Sequence, residues 1–395
     1  MSVIVPSLQI LYTNIGRGHP FYLDGVIDSL IRKASIRLVR KQSDVFEISS
    51  TLPRHLWKIA RCLYVRGSSG GVTGVVYRLV RTRADYGGSG LMVRLMGRDI
   101  RREYLHAPGP LMVAHPTLVG MLKGKPDLLY QHGELVVPPE AVVAGASVAF
   151  VPTEEAANAF RQGGYSGKQV VVTGLCIETP LARQSFESFE ARLDRYAGDQ
   201  PLTGAFFSSG AEPVSHVDKL VNAACSALGK GGRVLLFARR GGTLAQRTRR
   251  LLLGRDVDHL EIGSSDQIPA DLPQAVIILF NNRREENIFT AKLYSLFDYF
   301  VAPPHERSNW AVGLGLPMFS LDPCIGPFAP LNRDLLLDRG VARSIATSSD
   351  ARSFGAGLER LRRDGNLEAM SRAGWGKQPI NGFDTIADYL ISRFG

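Results

Sequence analysis

The sequence predicts an α/β protein of two domains, each built around a parallel sheet. Short apolar segments rich in β-branched residues alternate along the chain with helix-like segments, which is typical of parallel strands covered by helices. The chain has 395 residues, 45% of them hydrophobic, which is enough for two cores of ordinary size. In such sheets, ligands bind beyond the carboxyl ends of the strands.

The first predicted strand leads into a glycine-containing turn. Residues 3–12 form the strand, and residues 21–32 form the helix that follows the turn. Glycine lets the backbone of such a turn approach a ligand closely, and the helix presents unpaired N–H groups to it. His19 lies at the mouth of the turn, where an imidazole near its ordinary pKa could accept a proton from a hydroxyl group. The alternative is that His19 only caps the helix.

Two more histidines follow predicted strands of the same half. His115 ends a strand over residues 110–114, and His132 ends a strand over residues 127–131. Because the carboxyl ends of parallel strands meet at one edge of a sheet, both are candidates for the ligand-binding edge that holds His19. Both could instead be structural residues of turns.

Composition narrows the class of protein. The longest apolar run, residues 135–151, contains Pro138, Pro139 and Glu140, so an integral membrane protein is not expected. The start of the chain lacks the pattern of a signal peptide, and the four cysteines show neither metal nor disulfide spacing. We expect a cytoplasmic protein with no bound metal and no cofactor.

The positive charge is concentrated in one segment. The formal net charge is +10, and residues 31–106 hold sixteen lysine and arginine residues against five acidic ones. Apolar side chains alternate with these cations, so the segment could lie on an anionic membrane surface. A solvated basic face is the alternative. A nucleic-acid partner is not expected, because no nucleic-acid-binding module accompanies the charge.

The second half repeats the alternation of strands and helices. Strands are predicted over residues 202–207, 233–238, 275–280, 299–302 and 316–321, with helices over residues 217–228 and 289–296. The polar residues 181–201 are predicted to link the domains. This gives domains over residues 1–180 and 202–375, followed by a helix over residues 376–395 that is expected to pack on the first domain.

Four motifs resemble those of one enzyme family. They are Gly16-Arg17-Gly18-His19-Pro20, Val172-Thr173-Gly174-Leu175, Phe297-Asp298-Tyr299-Phe300-Val301, and Gly313-Leu314-Gly315-Leu316-Pro317 with Asn332 and Gly340. In order and spacing the chain resembles glycosyltransferases of the GT-B type, closest to the group of the lipid II N-acetylglucosaminyltransferase and the monogalactosyldiacylglycerol synthases. That family has two Rossmann-like domains facing a central cleft.

The resemblance implies a nucleotide-sugar donor, commonly UDP-linked, bound by the C-terminal domain, and an acceptor bound by the N-terminal domain. His19 would be the general base, with Gly16, Arg17, Gly18, His115 and His132 on the acceptor side. The turn Ser208-Ser209-Gly210 could donate backbone hydrogen bonds to the diphosphate, and Arg239 or Arg240 could add a cation. The donor-side candidates are Ser208, Ser209, Gly210, Arg239, Phe280, Asn281, His305, Glu306, Ser308, Asn309, Trp310 and Asn332.

One position departs from the family. An acidic residue that binds the ribose hydroxyls is expected seven positions before Pro317, where this chain has Trp310. Tryptophan cannot accept hydrogen bonds from hydroxyl groups. Glu306 could take that role, or Asn309 more weakly. The charged residues 281–287 also differ from the short base-recognition turn expected there.

These departures leave three functions open. The first is a glycosyltransferase acting on a lipid or small-molecule hydroxyl. The second is another enzyme on the same scaffold, such as a nucleotide-sugar epimerase, a hydrolase or a transferase of a non-sugar group. The third is a non-catalytic module that binds a membrane or a partner.

Overall fold

The computed structural model describes residues 8–15, 18–67, 90–326 and 328–395, without the side chains of residues 64–67. Gly16 and Arg17, and residues 68–89 of the basic segment, therefore lie outside the described residues. The chain forms two compact units. The first unit contains Met1–Thr179 and Pro379–Gly395, and the second contains Pro180–Gln378.

The first unit is built on a six-stranded sheet. All strands are parallel, in the order β2-β1-β3-β4-β5-β6. Successive residues of a strand point to opposite faces, so Ile10 and Leu11 enter two different apolar cores. The strands are β1 Leu8–Tyr12, β2 Val39–Asp44, β3 Leu111–Val113, β4 Leu128–Gln131, β5 Val148–Val151 and β6 Val170–Val172.

Helices cover both faces of this sheet, which is why the central strands β3 and β4 are buried along their whole length. Thr153 caps one of the helices by accepting a hydrogen bond from the Ala156 N–H at 3.2 Å. The helices before the chain enters the second unit are α1 Gly18–Arg32, α2 Val45–Ile48, α3 Thr51–Gly67, α4 Leu91–Met96, α5 Arg98–Tyr104, α6 Pro116–Met121 and α7 Glu154–Gln162.

The second unit is built on a seven-stranded parallel sheet in the order β13-β12-β11-β7-β8-β10-β9. The central strands β7, β8, β10 and β11 are buried along nearly their whole length. The strands are β7 Thr203–Phe207, β8 Arg233–Arg239, β9 Leu260–Ile262, β10 Ala275–Phe280, β11 Tyr299–Ala302, β12 Met318–Leu321 and β13 Ala342–Ile345.

Helices connect these strands and form both outer layers of the second unit. They include elements that the sequence pattern did not reveal, among them four helices after β12. The helices are α8 Thr179–Arg183 at the entry to the unit, α9 Ser185–Ala197, α10 Val214–Leu228, α11 Thr243–Gly254, α12 Arg283–Leu293, α13 Ser308–Gly313, α14 Phe328–Asp338, α15 Ser348–Arg352, α16 Phe354–Arg363 and α17 Asn366–Gly374.

The last helix, α18 Gly382–Phe394, belongs to the first unit. It packs on α1, where Gly25 leaves room for the Phe383 ring; a Cβ atom at Gly25 would lie 2.3 Å from that ring. Arg32 forms an ion pair with Asp384 at 2.8 Å. Leu175 N–H also donates to the Pro379 carbonyl at 2.7 Å, which fixes the returning chain.

Residues 181–201 are mostly helical, although the sequence analysis treats them as a linker. Helix α9 is tied to the rest of the second unit by Arg192, which is buried, and by Arg195, which is half-buried. Arg192 Nε donates to the Phe297 carbonyl at 3.0 Å, and Arg195 Nε contacts Asp298 Oδ1 at 2.6 Å. The basic and acidic residues that resemble a solvated linker are therefore partly structural.

Membrane-spanning structure is not seen: across the described ranges, no helix is long and apolar enough to cross a bilayer.

Candidate functional site

The three histidines of the first unit lie at one edge of its sheet. Strands β1, β3 and β4 are neighbours, and His19, His115 and His132 each follow the carboxyl end of one of them. The rings of His19 and His115 are 4.5 Å apart between centroids. We call these three side chains the histidine edge.

The His19 imidazole has a perturbed pKa, contrary to the sequence expectation. Burial lowers the pKa of His19 to about 4, although a hydrogen bond with the Ala114 backbone opposes the shift. The ring is therefore uncharged at neutral pH. It can accept a proton from a ligand hydroxyl, but it is a weaker base than an imidazole of ordinary pKa.

His115 and His132 are held by structural hydrogen bonds. His115 Nδ1 accepts from the Thr117 N–H at 3.2 Å and so caps α6, while His132 Nε2 pairs with the Val136 carbonyl at 3.1 Å. Burial lowers the pKa of both, that of His132 to about 4. His115 contacts His19 directly, whereas His132 packs against the Phe160 ring at 5.3 Å.

Glu134 is a further residue of this edge that sequence reasoning missed. Its side chain is buried, with 8% exposure, in the turn that follows His132. A Cβ atom at Gly18 would lie 3.8 Å from Glu134 Oε1, so this carboxyl group borders the start of α1. The signal in the sequence was its position two residues after His132. Gly16 and Arg17 cannot be placed, because they lie outside the described residues.

The donor-side candidates of the second unit also gather at the carboxyl edge of their sheet. Ser208, Ser209 and Gly210 follow β7, Arg239 ends β8, and Asn281 follows Phe280 at the end of β10. His305 and Glu306 follow β11, which pairs with β7. These strands are neighbours in the sheet, so the candidates share one edge.

The turn after β7 offers one unpaired polar group. Ser208 is 7% exposed, and its Oγ has no hydrogen-bond partner among the described residues. The turn is anchored by Glu212, whose carboxylate accepts from the Thr243 N–H at 2.6 Å. Glu212 thereby occupies the amino end of α11, so an anion could not bind there without displacing it.

The turn after β10 is largely satisfied by its own residues. Asn281 donates to Glu285 Oε2 from its backbone N–H at 2.8 Å and from its side chain at 2.9 Å. The Phe280 carbonyl accepts from the Arg240 N–H at 2.8 Å. The Asn281 N–H and the Phe280 carbonyl are thus engaged within the protein. Arg239, in contrast, is exposed.

Four charged side chains form a buried network at the same edge. Glu306 Oε1 accepts from Arg283 Nη1 at 2.7 Å and from Arg307 Nη1 at 3.4 Å. Arg307 Nη2 also contacts Glu286 Oε1 at 2.8 Å, and Arg283 lies 3.9 Å from Glu286. The network balances two positive against two negative charges. We call it the ion-pair cluster.

The ion-pair cluster keeps Glu306 ionised. Burial alone would raise the pKa of this carboxyl group, but Arg283 and Arg307, together with His305, hold it far below its usual range. Both arginines contact Oε1, and the described residues place no hydrogen bond on Oε2. Glu306 therefore keeps an oxygen that can accept a hydrogen bond from a ligand.

Trp310 is a core residue. Its ring is buried 5.6 Å from both Phe207 and Phe300, and the Arg307 guanidinium lies 5.3 Å from it. Such a position cannot bind ribose hydroxyls, in agreement with the chemistry of the side chain. Asn309 is buried as well, with 1% exposure.

The other candidates around this loop are mainly structural. Asn332 donates to the Pro304 carbonyl at 3.1 Å and holds the loop after β11. Burial lowers the pKa of His305, although the Glu306 carboxylate opposes the shift. Ser308 is buried, and its Oγ lacks a hydrogen-bond partner within the described ranges. No group of three or more His, Cys, Asp or Glu side chains there is arranged to hold a metal ion.

Neither a protein-family model nor a curated protein sequence matches the chain. Solved structures do. A putative UDP-N-acetylglucosamine 2-epimerase from Listeria monocytogenes is 11% identical, with a TM-score of 0.53 over 98% of this chain and 94% of that one. MurG of Acinetobacter baumannii is 13% identical, with a TM-score of 0.50 over 98% of this chain and 100% of that one.

A third similar structure is the glycotransferase of kitacinnamycin, 12% identical with a TM-score of 0.51 over 99% of each chain. Together these structures show that the chain has a GT-B-type fold of two parallel-sheet α/β units. Epimerases and glycosyltransferases match about equally well, so the similarity shows the fold and does not distinguish between these activities.

Proposed function

We propose that this protein is a glycosyltransferase. It moves a sugar from a nucleotide-sugar, UDP-linked, to a hydroxyl group of a lipid or small-molecule acceptor. His19 accepts the proton of that hydroxyl, and the second unit binds the donor. Glycosyl transfer needs both a base for the attacking oxygen and groups that bind the departing diphosphate.

The observation that carries the proposal is the neutral His19 imidazole beside His115 at the carboxyl edge of the first sheet. A base must be unprotonated before reaction, and the lowered pKa ensures this at pH 7. The GT-B-type fold supports a nucleotide-sugar as the donor.

In the second unit, Glu306 is best placed to accept hydrogen bonds from the ribose hydroxyls, through Oε2. The Ser208 hydroxyl and the backbone of Ser209 and Gly210 would contact the diphosphate, with Arg239 as the nearby exposed cation. Asn281 contributes to the donor site only if Glu285 releases its N–H.

Incubation with a panel of nucleotide-sugars and lipid or small-molecule acceptors tests the proposal. Mass spectrometry should detect a glycosylated acceptor together with the free nucleoside diphosphate. If no nucleotide-sugar binds or turns over in the panel, the proposal is wrong. If the acceptor is unnecessary and the donor is epimerised or hydrolysed, the second candidate, an epimerase-like enzyme, replaces it. The epimerases among the similar folds favour that candidate over the remaining ones.

We also propose that the first unit contacts an anionic membrane surface through α3 and α4. Leu91 and Met92 are 75% and 57% exposed, and Ile59 is exposed on the neighbouring α3. Exposed cations flank them: Lys58, Arg61, Arg94 and Arg98. Apolar side chains at the bilayer interface, with cations near lipid phosphates, would bring the enzyme to a lipid acceptor.

A further inference from the structure

The ion-pair cluster suggests a role for two arginines that the motifs do not reveal. Glu306 follows Pro303 and Pro304, and its side chain is 10% exposed. A carboxylate there could turn in several directions. Instead, two guanidinium groups hold the same oxygen, Oε1. The second oxygen is thereby given a fixed direction.

We propose that Arg283 and Arg307 are positioning residues that grip Glu306 by Oε1 and so present Oε2 to the ribose hydroxyls of the donor. This inference rests on the proposed nucleotide-binding function of the second unit. It assigns the arginines no direct contact with the nucleotide.

Each arginine is fixed at a second point, which is what a positioning role requires. Arg283 Nε donates to Asn287 Oδ1 at 2.9 Å on α12. Arg307 contacts Glu286 and stacks on the Phe207 ring at 4.2 Å, directly before the Ser208 turn. A mobile cation could attract the carboxylate, but it would not orient it.

Charge balance explains why the arginines do not themselves attract the diphosphate. Arg283 and Arg307 are matched by Glu306 and Glu286, so the cluster presents no net positive charge. The charged and titratable groups that face Glu306 are Arg283 from α12, and His305 and Arg307 from its own loop. Arg283 and Arg307 therefore act on Glu306 and reach the ligand only through it.

The neighbouring Arg284 provides a matched control, because it is exposed and carries the same side chain. The probes are UDP and 2′,3′-dideoxy-UDP, measured by calorimetry on the full-length protein. The wild type should bind UDP about tenfold or more tightly than the dideoxy analogue, since a hydrogen bond to a charged group is lost. Arg283→Gln and Glu306→Gln should each reduce this preference to within about twofold, whereas Arg284→Gln should retain it.

The double variant Arg283→Gln/Glu306→Gln should show no further loss, because the arginine acts through the carboxylate. Additive losses would overturn the proposal, as would an Arg283→Gln variant that keeps the wild-type preference. A wild-type protein that binds UDP and its dideoxy analogue equally would also overturn it.

Unfolding without ligand separates this inference from the proposed function. The Arg283→Gln variant should have a lower free energy of unfolding than the wild type at pH 7. This difference in free energy should shrink as the pH falls below about 4, because Glu306 then becomes protonated both in the folded variant and in the unfolded chain. If the difference in free energy of unfolding is the same at about pH 7 and at about pH 3.5, Arg283 does not hold the Glu306 carboxylate. If neither the wild type nor any variant binds nucleotide but this pH dependence is observed, the proposed function and the role of Oε2 are wrong. The contact between Arg283 and Glu306 would still be established.

Discussion

In each unit the candidate functional residues lie at the carboxyl edge of a parallel sheet. The histidines of the first unit are uncharged, whereas the second unit holds charged side chains at this edge. The histidine edge of the first unit consists of rings that burial keeps uncharged. The edge of the second unit holds the ion-pair cluster, in which the charges of Glu306 and Arg307 persist because they compensate each other. Neutral imidazoles suit the acceptance of a proton, and fixed ions suit the orientation of a polar ligand.

The difference also predicts how each edge tolerates substitution. A neutral ring can be removed without leaving an unpaired charge, so function should suffer more than folding. Removing one member of a buried ionic network leaves its partner uncompensated, so folding should suffer as well. Experiments on matched residues of the two edges test this contrast.

The largest effect is expected at the histidine edge. His19→Ala should lower kcat for sugar transfer by about 10²–10⁴-fold, the usual contribution of a general base, while UDP affinity stays unchanged. Steady-state kinetics and calorimetry provide the two measurements, with His106→Ala at an exposed position as the control. If the His19→Ala enzyme is still active, His19 is not the general base and the histidine edge is not catalytic. If cellular function is unchanged in this variant, the protein is better explained as a non-catalytic module.

At the ion-pair cluster the expected loss is in stability. Arg307→Met should lower the free energy of unfolding by about 3–5 kcal/mol, because it leaves Glu286 buried without its closest cation. Chemical denaturation measures this, and Arg343→Met on the exposed side of β13 is the matched control. A loss below about 1 kcal/mol would show that the cluster is hydrated, and the contrast between the edges would disappear.

The pH dependence of folding sharpens the comparison further. The folded-state pKa of His132 is about 4 and its unfolded value is ordinary, so the unfolded chain binds more protons between these values. Stability should therefore be full above about pH 6.5 and decline as the pH falls towards 4. His132→Gln should make this decline shallower and His106→Gln should not. Equal slopes in all three proteins would contradict burial as the origin of the neutral edge.

The smallest effect is expected at the membrane surface. Replacing Leu91 and Met92 with glutamate should weaken binding to phosphatidylglycerol vesicles by about tenfold, and added salt should weaken the wild type. Leu253→Glu in the second unit, where the side chain is 69% exposed, is the control. If the protein floats with purely zwitterionic vesicles, or does not float with anionic ones, the proposed contact with an anionic membrane is wrong.

Strand and turn positions were largely predictable from the sequence, because apolar runs bounded by glycine, proline and polar residues specify them locally. The strand predicted over residues 299–302 is β11, and the helix predicted over residues 21–32 lies within α1. Long-range contacts were not predictable. The pKa of His19 depends on burial, and the pKa of Glu306 depends on Arg283, which is 23 residues away.

In residues 45–49, local hydrogen bonds decide the secondary structure against the apolar pattern of the sequence. A strand is predicted over residues 45–49, since Val45, Phe46 and Ile48 are apolar and β-prone. The structure instead forms α2, because Asp44 caps it and accepts from the Phe46 N–H at 2.7 Å. This prediction was wrong, and the capping residues Asp44 and Glu47 were the signal against it.

Because α18 returns to the first unit, the two units differ in chain continuity. The second unit is one uninterrupted segment, Pro180–Gln378, that could be expressed alone. The first needs both chain ends, because Phe383 and Asp384 complete the surface of α1. Removing residues 379–395 would uncover the apolar side of α1, so a usable isolated first unit requires a short synthetic connector joining Thr179 to Pro379.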